Sequence, residues 1–176
     1  GGCDKTSLME LALFETGVIT RAGTIEDGNT VSDYDKMEIE KGHSINMSII
    51  PIEYKDVKIN FIDTPGLLDF SHEMYTAIQA AAAALLIVDA GSGIQVGTEK
   101  AWNFCKELKK PTFIMIKRKD KDTYDFDELV QSIRDKFGAV CVPASYPIKP
   151  EMLEALNELI AETDEELMNK YFDEGV

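Results

Sequence analysis

Apolar residues recur at two spacings along the chain, and together they predict alternating helices and strands. Helical spacing after Thr6 and Ser7 predicts a first helix that ends near Gly17. Two β-rich apolar runs at 47–54 and 57–62 are separated by two polar residues, which predicts a hairpin. The polar stretch between the first helix and the hairpin predicts a long loop over 18–46, and loops of that length are usually functional.

Beyond the hairpin, short apolar runs alternate with amphipathic segments. They predict helices from Ser71, over 98–108 and over 126–137, and strands over 84–89, 112–116 and 139–142. This order favours an α/β fold, in which a mostly parallel sheet with one antiparallel hairpin strand carries helices on both faces. Prolines then break the pattern, and 143–176 is expected to be a Pro-rich connector followed by a C-terminal helix with an acidic, solvated face.

Composition narrows the classes of function. The 176 residues include 18 Lys and Arg against 32 Asp and Glu, a net charge of −14, and the length suggests one domain. Such an acidic chain is a poor binder of DNA, and no apolar run reaches the roughly 18 residues of a membrane span. The three cysteines are far apart without zinc spacing, which predicts reduced thiols in a cytoplasmic protein.

The first seven residues, GGCDKTS, resemble a phosphate-binding loop that opens a helix. In such a loop the backbone amides hold the phosphates, Lys5 reaches the β and γ oxygens, and Thr6 binds Mg²⁺. Asp4 stands where the second glycine is expected, and a charged helix N-cap is the competing interpretation. The candidate nucleotide-binding residues of this loop are Gly2, Cys3, Asp4, Lys5, Thr6 and Ser7.

Two further segments could complete a magnesium site. Asp63 ends an apolar strand and can hold Mg²⁺ through water, while the amide of Gly66 can sense a γ-phosphate. Ser44, late in the long loop, offers a hydroxyl for the metal when a γ-phosphate is present. The competing interpretation of the segment with Asp63 and Gly66 is an ordinary Pro-Gly turn at 65–66.

A basic loop follows the strand predicted at 112–116. Asp120 can accept hydrogen bonds from a guanine base, and the stem of Arg118 can pack over the ring. Lys117 stands where an asparagine is expected. Because Lys121 continues the basic run, a solvated loop is the alternative.

The order and spacing of these segments identify a resemblance. Residues 5–142 resemble the G domain of a translational GTPase of the elongation factor G and elongation factor G-like family, through KTSLMELALFETGVI, GTIEDGNTVSDYD, INFIDTPGLLDF, IVDAGSGIQVGTEKAW and PTFIMI. The resemblance implies a P-loop NTPase fold of the Ras-like type, GTP or GDP with Mg²⁺ as ligands, and action on the ribosome through a full-length protein. It also implies that the family's first strand, inserted subdomain and downstream domains lie outside this chain.

The chain departs from the family pattern at positions that matter for hydrolysis. Leu67 replaces the histidine that orients the attacking water, and its aliphatic side chain cannot transfer a proton. His43 is a candidate to replace this missing catalytic group, and His72 is expected to lie on a helix surface. Together with Asp4 and Lys117, Leu67 leaves two functions open: a GTP-dependent switch, and a nucleotide-impaired domain that binds the ribosome or another partner. An unrelated ATP-binding P-loop protein is a third possibility.

Overall fold

The computed structural model describes residues 5–117, 125–138, 141, 157, 168 and 169. The chain forms two compact units, Gly1–Asp122 and Thr123–Val176. In the described part of the chain no helix is long and apolar enough to cross a membrane.

The described elements alternate between helices and strands, as the sequence predicts. In chain order they are α1 (Lys5–Glu15), α2 (Lys36–Lys41), β1 (Ser48–Tyr54), β2 (Val57–Asp63), a 3₁₀ turn (Leu68–Phe70), α3 (Ser71–Ala80), β3 (Ala84–Asp89), α4 (Val96–Glu107), β4 (Thr112–Lys117) and α5 (Phe126–Phe137). The predicted bounds agree with these to within about two residues. The strand predicted over 139–142 and the C-terminal helix lie outside the described residues, apart from isolated positions.

The prediction of one uninterrupted loop over 18–46 was wrong, because α2 lies inside it. Asp35 caps this helix through a capping box with Glu38, and Gly42 ends it in the left-handed conformation. The capping residues were a visible sequence signal. The six-residue helix is too short, however, to produce a recognisable apolar period.

The strands form two separate pairs. β1 and β2 are antiparallel, joined by Lys55 and Asp56, which both have positive φ as a tight two-residue hairpin turn requires. β3 and β4 are parallel. Among the described residues, neither pair hydrogen-bonds to the other. The predicted α/β class is confirmed, with one parallel strand pair and one antiparallel hairpin among the described residues.

Each strand pair has its own apolar cluster. Met9 and Leu13 of α1 pack on the inward side chains of β1, Ile50 and Ile52. The parallel pair is covered by α3 and α4, and its cluster contains Met74, Ile78, Leu86, Ala101 and Cys105. An apolar groove of about 750 Å³ lies between β2 and β3. The polar site described next lies where β2 ends.

Candidate functional site

Two residues predicted to bind magnesium meet at the end of β2. The hydroxyl of Thr6, in the first turn of α1, donates to Oδ2 of Asp63 over 3.0 Å, although 57 residues separate them in sequence. Both side chains are buried. The contact exists because α1 packs its apolar side on the β1–β2 hairpin with its first turn beside the last residue of β2.

Several charges act on the Asp63 carboxyl. Burial raises its pKa above the ordinary value, and the nearby Asp33 carboxylate raises it further. The hydrogen bond from Thr6 and the positive charge of Lys5 act in the opposite direction. An extra positive charge at this position would relieve the cost of keeping Asp63 ionised.

Asp33 is the acidic residue that sequence reasoning missed. It lies in the long polar loop, where nothing in its spacing distinguishes it from the other acids, yet it is buried. The hydroxyl of Ser44 donates to Asp33 Oδ1 over 2.6 Å. The structure therefore places the predicted hydroxyl of Ser44 on a carboxylate whose charge acts on Asp63.

The loop that carries Asp33 is attached to α1 by a second buried carboxylate. Glu10 is 2% exposed and accepts hydrogen bonds from the backbone amides of Gly23, over 2.8 Å, and Val31, over 2.5 Å. A glutamate in the predicted first helix gave no signal of this role. Its partners are 13 and 21 residues away, so only the folded chain identifies them.

Glu38 anchors the second part of the long loop, also by accepting hydrogen bonds from backbone amides. This residue of α2 is 1% exposed, and its carboxylate accepts hydrogen bonds from the amides of Ile45 and Asn46. It also accepts the amide of Asp35 in the capping box. Because Ser44 directly precedes these two amides, Glu38 fixes the backbone that presents the Ser44 hydroxyl.

The structure also describes Gly66, Leu67 and the two histidines that the sequence analysis singled out. Gly66 lines the groove, and the next residue, Leu67, is 39% exposed. His43 Nδ1 lies 3.3 Å from the carbonyl oxygen of Ser44, and its ring centroid is 6.5 Å from that of Phe70. His72 is exposed and pairs with its neighbour Glu73, as expected for a surface residue.

The predicted guanine-reading loop is described only at its first residue. Lys117 ends β4 opposite Asp89 of β3, and its carbonyl accepts the amide of Ala90. Arg118 and Asp120 lie outside the described residues, as do Gly2, Cys3 and Asp4. The nucleotide-binding roles of all these residues stay predictions, as does that of Ser7 in α1.

The donors at the end of β2 fit a magnesium ion that is shared with a phosphate ligand. Mg²⁺ prefers oxygen ligands, and it is usually held by one or two carboxylates together with substrate phosphates and water. The hydroxyl of Thr6 and the carboxylate of Asp63 match this donor set. Within the described ranges no group of three or more His, Cys, Asp or Glu residues could hold a metal alone.

Comparisons with known proteins assign the fold to a family. Residues 2–174 match the family described as the elongation factor Tu GTP binding domain. The chain is 29% identical over 205 residues to the elongation factor G-like protein of Thermotoga maritima, covering 98% of this chain and 29% of that protein. It is 33% identical over 147 residues to elongation factor G of Granulibacter bethesdensis, covering 84% and 21% respectively.

A solved crystal structure of a protein from Thermus thermophilus shares the fold. It matches with a TM-score of 0.78 and 28% sequence identity, covering 98% of this chain and 31% of that one. The chain therefore spans about a third or less of the length of these proteins.

Proposed function

Because the chain belongs to the elongation factor Tu GTP-binding domain family, we propose that it binds Mg²⁺ with GTP or GDP and serves as the nucleotide switch of an elongation factor G-like translation factor. In the full-length protein this switch acts on the ribosome during translation elongation. The relatives whose names point to translation support the proposal.

One observation carries the proposal: the hydrogen bond between Thr6 and Asp63. It joins the start of the helix that follows a phosphate-loop sequence to the strand end that precedes Pro65 and Gly66. A purely structural serine or threonine cap has no need of a buried aspartate from a distant strand. A site that shares Mg²⁺ with a nucleotide needs this pair of oxygen ligands.

The side chains have separate roles in this proposal. Lys5 contacts the β- and γ-phosphates, and the first turn of α1 adds the positive end of the helix dipole. Thr6 would hold the metal through its hydroxyl, and Asp63 would hold it through water. Bound Mg²⁺ neutralises phosphate charge and orients the phosphates.

The long loop is the part of the switch that responds to the nucleotide. Glu38 fixes the backbone that presents Ser44, and the Ser44 hydroxyl donates to Asp33, whose charge acts on Asp63. A metal beside Asp63 offers this hydroxyl a second partner. We infer that the presence of a γ-phosphate changes the contacts of Ser44, and that the backbone amide of Gly66 contacts the same phosphate.

GTP hydrolysis is the activity that the side chains of this site support least. Leu67 cannot accept a proton from water or orient it by a hydrogen bond. The imidazole of His43 lies against the carbonyl of its neighbour and the ring of Phe70. We propose that this chain alone binds GTP but hydrolyses it slowly, and that faster turnover requires groups supplied from outside the chain.

Calorimetric titration with Mg²⁺-GDP, with Mg²⁺-ADP as the control, tests the proposal. We expect saturable GDP binding, no response to ADP, and loss of GDP binding in Lys5→Ala. The matched control is Lys106→Ala, which removes an exposed lysine on α4 and leaves the affinity unchanged. Unchanged affinity in Lys5→Ala would refute the assignment of the phosphate site.

The nucleotide-impaired alternative predicts a different outcome. In that case the chain binds neither nucleotide, because Asp4 and Lys117 damage the two nucleotide-holding loops. Restoring the expected residues with Asp4→Gly and Lys117→Asn should then produce GDP binding. A preference for ADP would instead support an unrelated ATP-binding protein.

A further inference from the structure

A carboxylate of α3 holds the end of the long loop. The backbone amide of Met47, one residue before β1, donates to Glu73 Oε2 over 3.1 Å, although 26 residues separate the two in sequence. Glu73 lies in the first turn of α3, and its side chain is 23% exposed. The contact therefore joins the loop that carries Ser44 to the segment that follows Gly66.

The position of Glu73 in its helix would allow a purely local role. It is the third residue of α3, from which a glutamate commonly accepts the backbone amide of the N-cap residue. Here the N-cap residue is Phe70, and its amide donates to the carbonyl of Leu67 instead. The other carboxylate oxygen of Glu73, Oε1, lies 3.4 Å from Nε2 of the exposed His72. The carboxylate of Glu73 is thus directed at the loop and not at its own helix cap.

A ring contact joins the same two segments. The rings of His43, in the loop, and Phe70, directly before α3, have centroids 6.5 Å apart and planes inclined at 39°. Aromatic pairs attract each other at centroid separations of about 4.5–7 Å. Ser44 lies in the chain between His43 and Met47, so the backbone on both sides of Ser44 is tied to the second segment.

The backbone around these contacts is also held in place. Glu38 accepts hydrogen bonds from the amides of the two residues that follow Ser44, over 2.9 and 3.0 Å, and Glu73 accepts the next amide. Three successive amides therefore end on carboxylates from two different helices. At the start of α3, Lys100 Nζ donates to Ser71 Oγ over 2.8 Å, which ties α3 to α4. Glu73 thus holds the loop against a helix that is itself anchored.

We propose that Glu73 is a positioning residue that holds the segments carrying Ser44 and Gly66 in one arrangement, so that both respond together to a γ-phosphate. The Ser44 hydroxyl already donates to Asp33, whose charge acts on the candidate metal residue Asp63. A loop that is held before the nucleotide binds loses less conformational entropy on binding. This inference rests on the proposed nucleotide binding and adds to it the residue that couples the two phosphate-sensing segments.

Fluorescence titration of the whole chain with two labelled nucleotides tests the proposal. The probes are GDP and a non-hydrolysable GTP analogue, each labelled on the ribose and added with Mg²⁺, and only the analogue carries a γ-phosphate. Glu73→Ala should weaken binding of the analogue about tenfold, as expected for the loss of one hydrogen bond to a charged acceptor, and should leave GDP binding unchanged. Glu73→Gln retains an oxygen acceptor for the Met47 amide and should retain most of the affinity for the analogue.

Two further variants separate positioning from a general effect on the fold. Glu128 is an exposed glutamate at the third position of α5, so Glu128→Ala removes the same favourable interaction with a helix dipole and should leave the binding of both nucleotides unchanged. In the Ser44→Ala background, Glu73→Ala should weaken analogue binding much less than it does alone, because Glu73 acts through the placement of the Ser44 hydroxyl. A merely structural role of Glu73 predicts additive losses.

Hydrogen exchange of the unsubstituted chain tests the same contact without a variant. The amide of Met47 should exchange more slowly with the analogue bound than with GDP bound, because the γ-phosphate favours the arrangement in which Glu73 accepts this amide. Equal exchange rates of Met47 in the two complexes would overturn the proposal.

The outcomes distinguish this inference from the proposed function. If the unsubstituted chain binds neither nucleotide, the proposed function is refuted and the role of Glu73 falls with it. If the chain binds both nucleotides, three results overturn the role of Glu73 alone. These are equal weakening of GDP and analogue binding in Glu73→Ala, additive losses with Ser44→Ala, and the same loss of analogue binding in Glu128→Ala.

Discussion

Replacing Glu10 should release one part of the long loop and leave the other part in place. In Glu10→Ala the amides of Gly23 and Val31 lose the carboxylate that accepts from both of them. A hydrogen bond to a charged group contributes about 1.5–3 kcal/mol, and the unpaired amides regain part of this from water once the loop opens. We therefore expect local opening to become easier by about 3 kcal/mol, which is roughly a 100-fold rise in exchange rate.

Native-state hydrogen exchange without nucleotide measures this directly. The amides of Gly23 and Val31 should exchange roughly 100-fold faster in Glu10→Ala, while those of Ile45 and Asn46, held by Glu38, keep their rates. Glu10→Gln retains one oxygen acceptor and should lie between the two. The matched control is Glu15→Ala, at an exposed position of the same helix, which should change nothing.

Two results would refute the reasoning. Unchanged exchange at Gly23 and Val31 would mean that the carboxylate does not hold the loop. Equal acceleration throughout α1, β1 and β2 would mean that Glu10 stabilises the whole unit instead of anchoring one segment.

Three further predictions follow from burial and backbone geometry. Gly23→Ala should lower the thermal midpoint of unfolding, because the new Cβ would lie 2.4 Å from the carbonyl oxygen of Asn29. Gly97 lies in helix α4, and a Cβ there would be 4.0 Å from its nearest neighbour. Gly97→Ala should therefore raise the free energy of unfolding by up to about 1 kcal/mol. Asp63→Asn should raise the thermal midpoint of the nucleotide-free chain at pH 7. The pKa of Asp63 in the folded chain is raised above 3.8, so the wild-type chain loses stability as the pH rises from 3.8 through this folded pKa. The difference in thermal midpoint between the wild type and the Asn variant should therefore vanish below pH 3.8. An equal difference at every pH would contradict this. Cys105 is buried, and burial raises the pKa of its thiol. Iodoacetamide at about pH 8 should therefore label Cys105 only after unfolding. Rapid labelling of the native chain, measured by mass spectrometry, would contradict the placement of Cys105 in the core.

The elements of this chain were predictable because their signals are local. Two apolar runs with a two-residue turn predicted the hairpin, and the amphipathic pattern of the later segments predicted α3, α4 and α5. Helix α2 was not predicted, because one and a half turns carry too little periodicity, although Asp35, Glu38 and Gly42 marked its ends. The candidate metal residues Thr6 and Asp63 were also predictable, because each belongs to a short motif.

What only the tertiary structure decided is which distant groups share a buried environment. The sequence by itself determined the α/β class, the element order and the short motifs, all of which depend on neighbouring residues. It could not distinguish Glu10 and Asp33 from the many solvated acids of this chain, since their partners come from other segments.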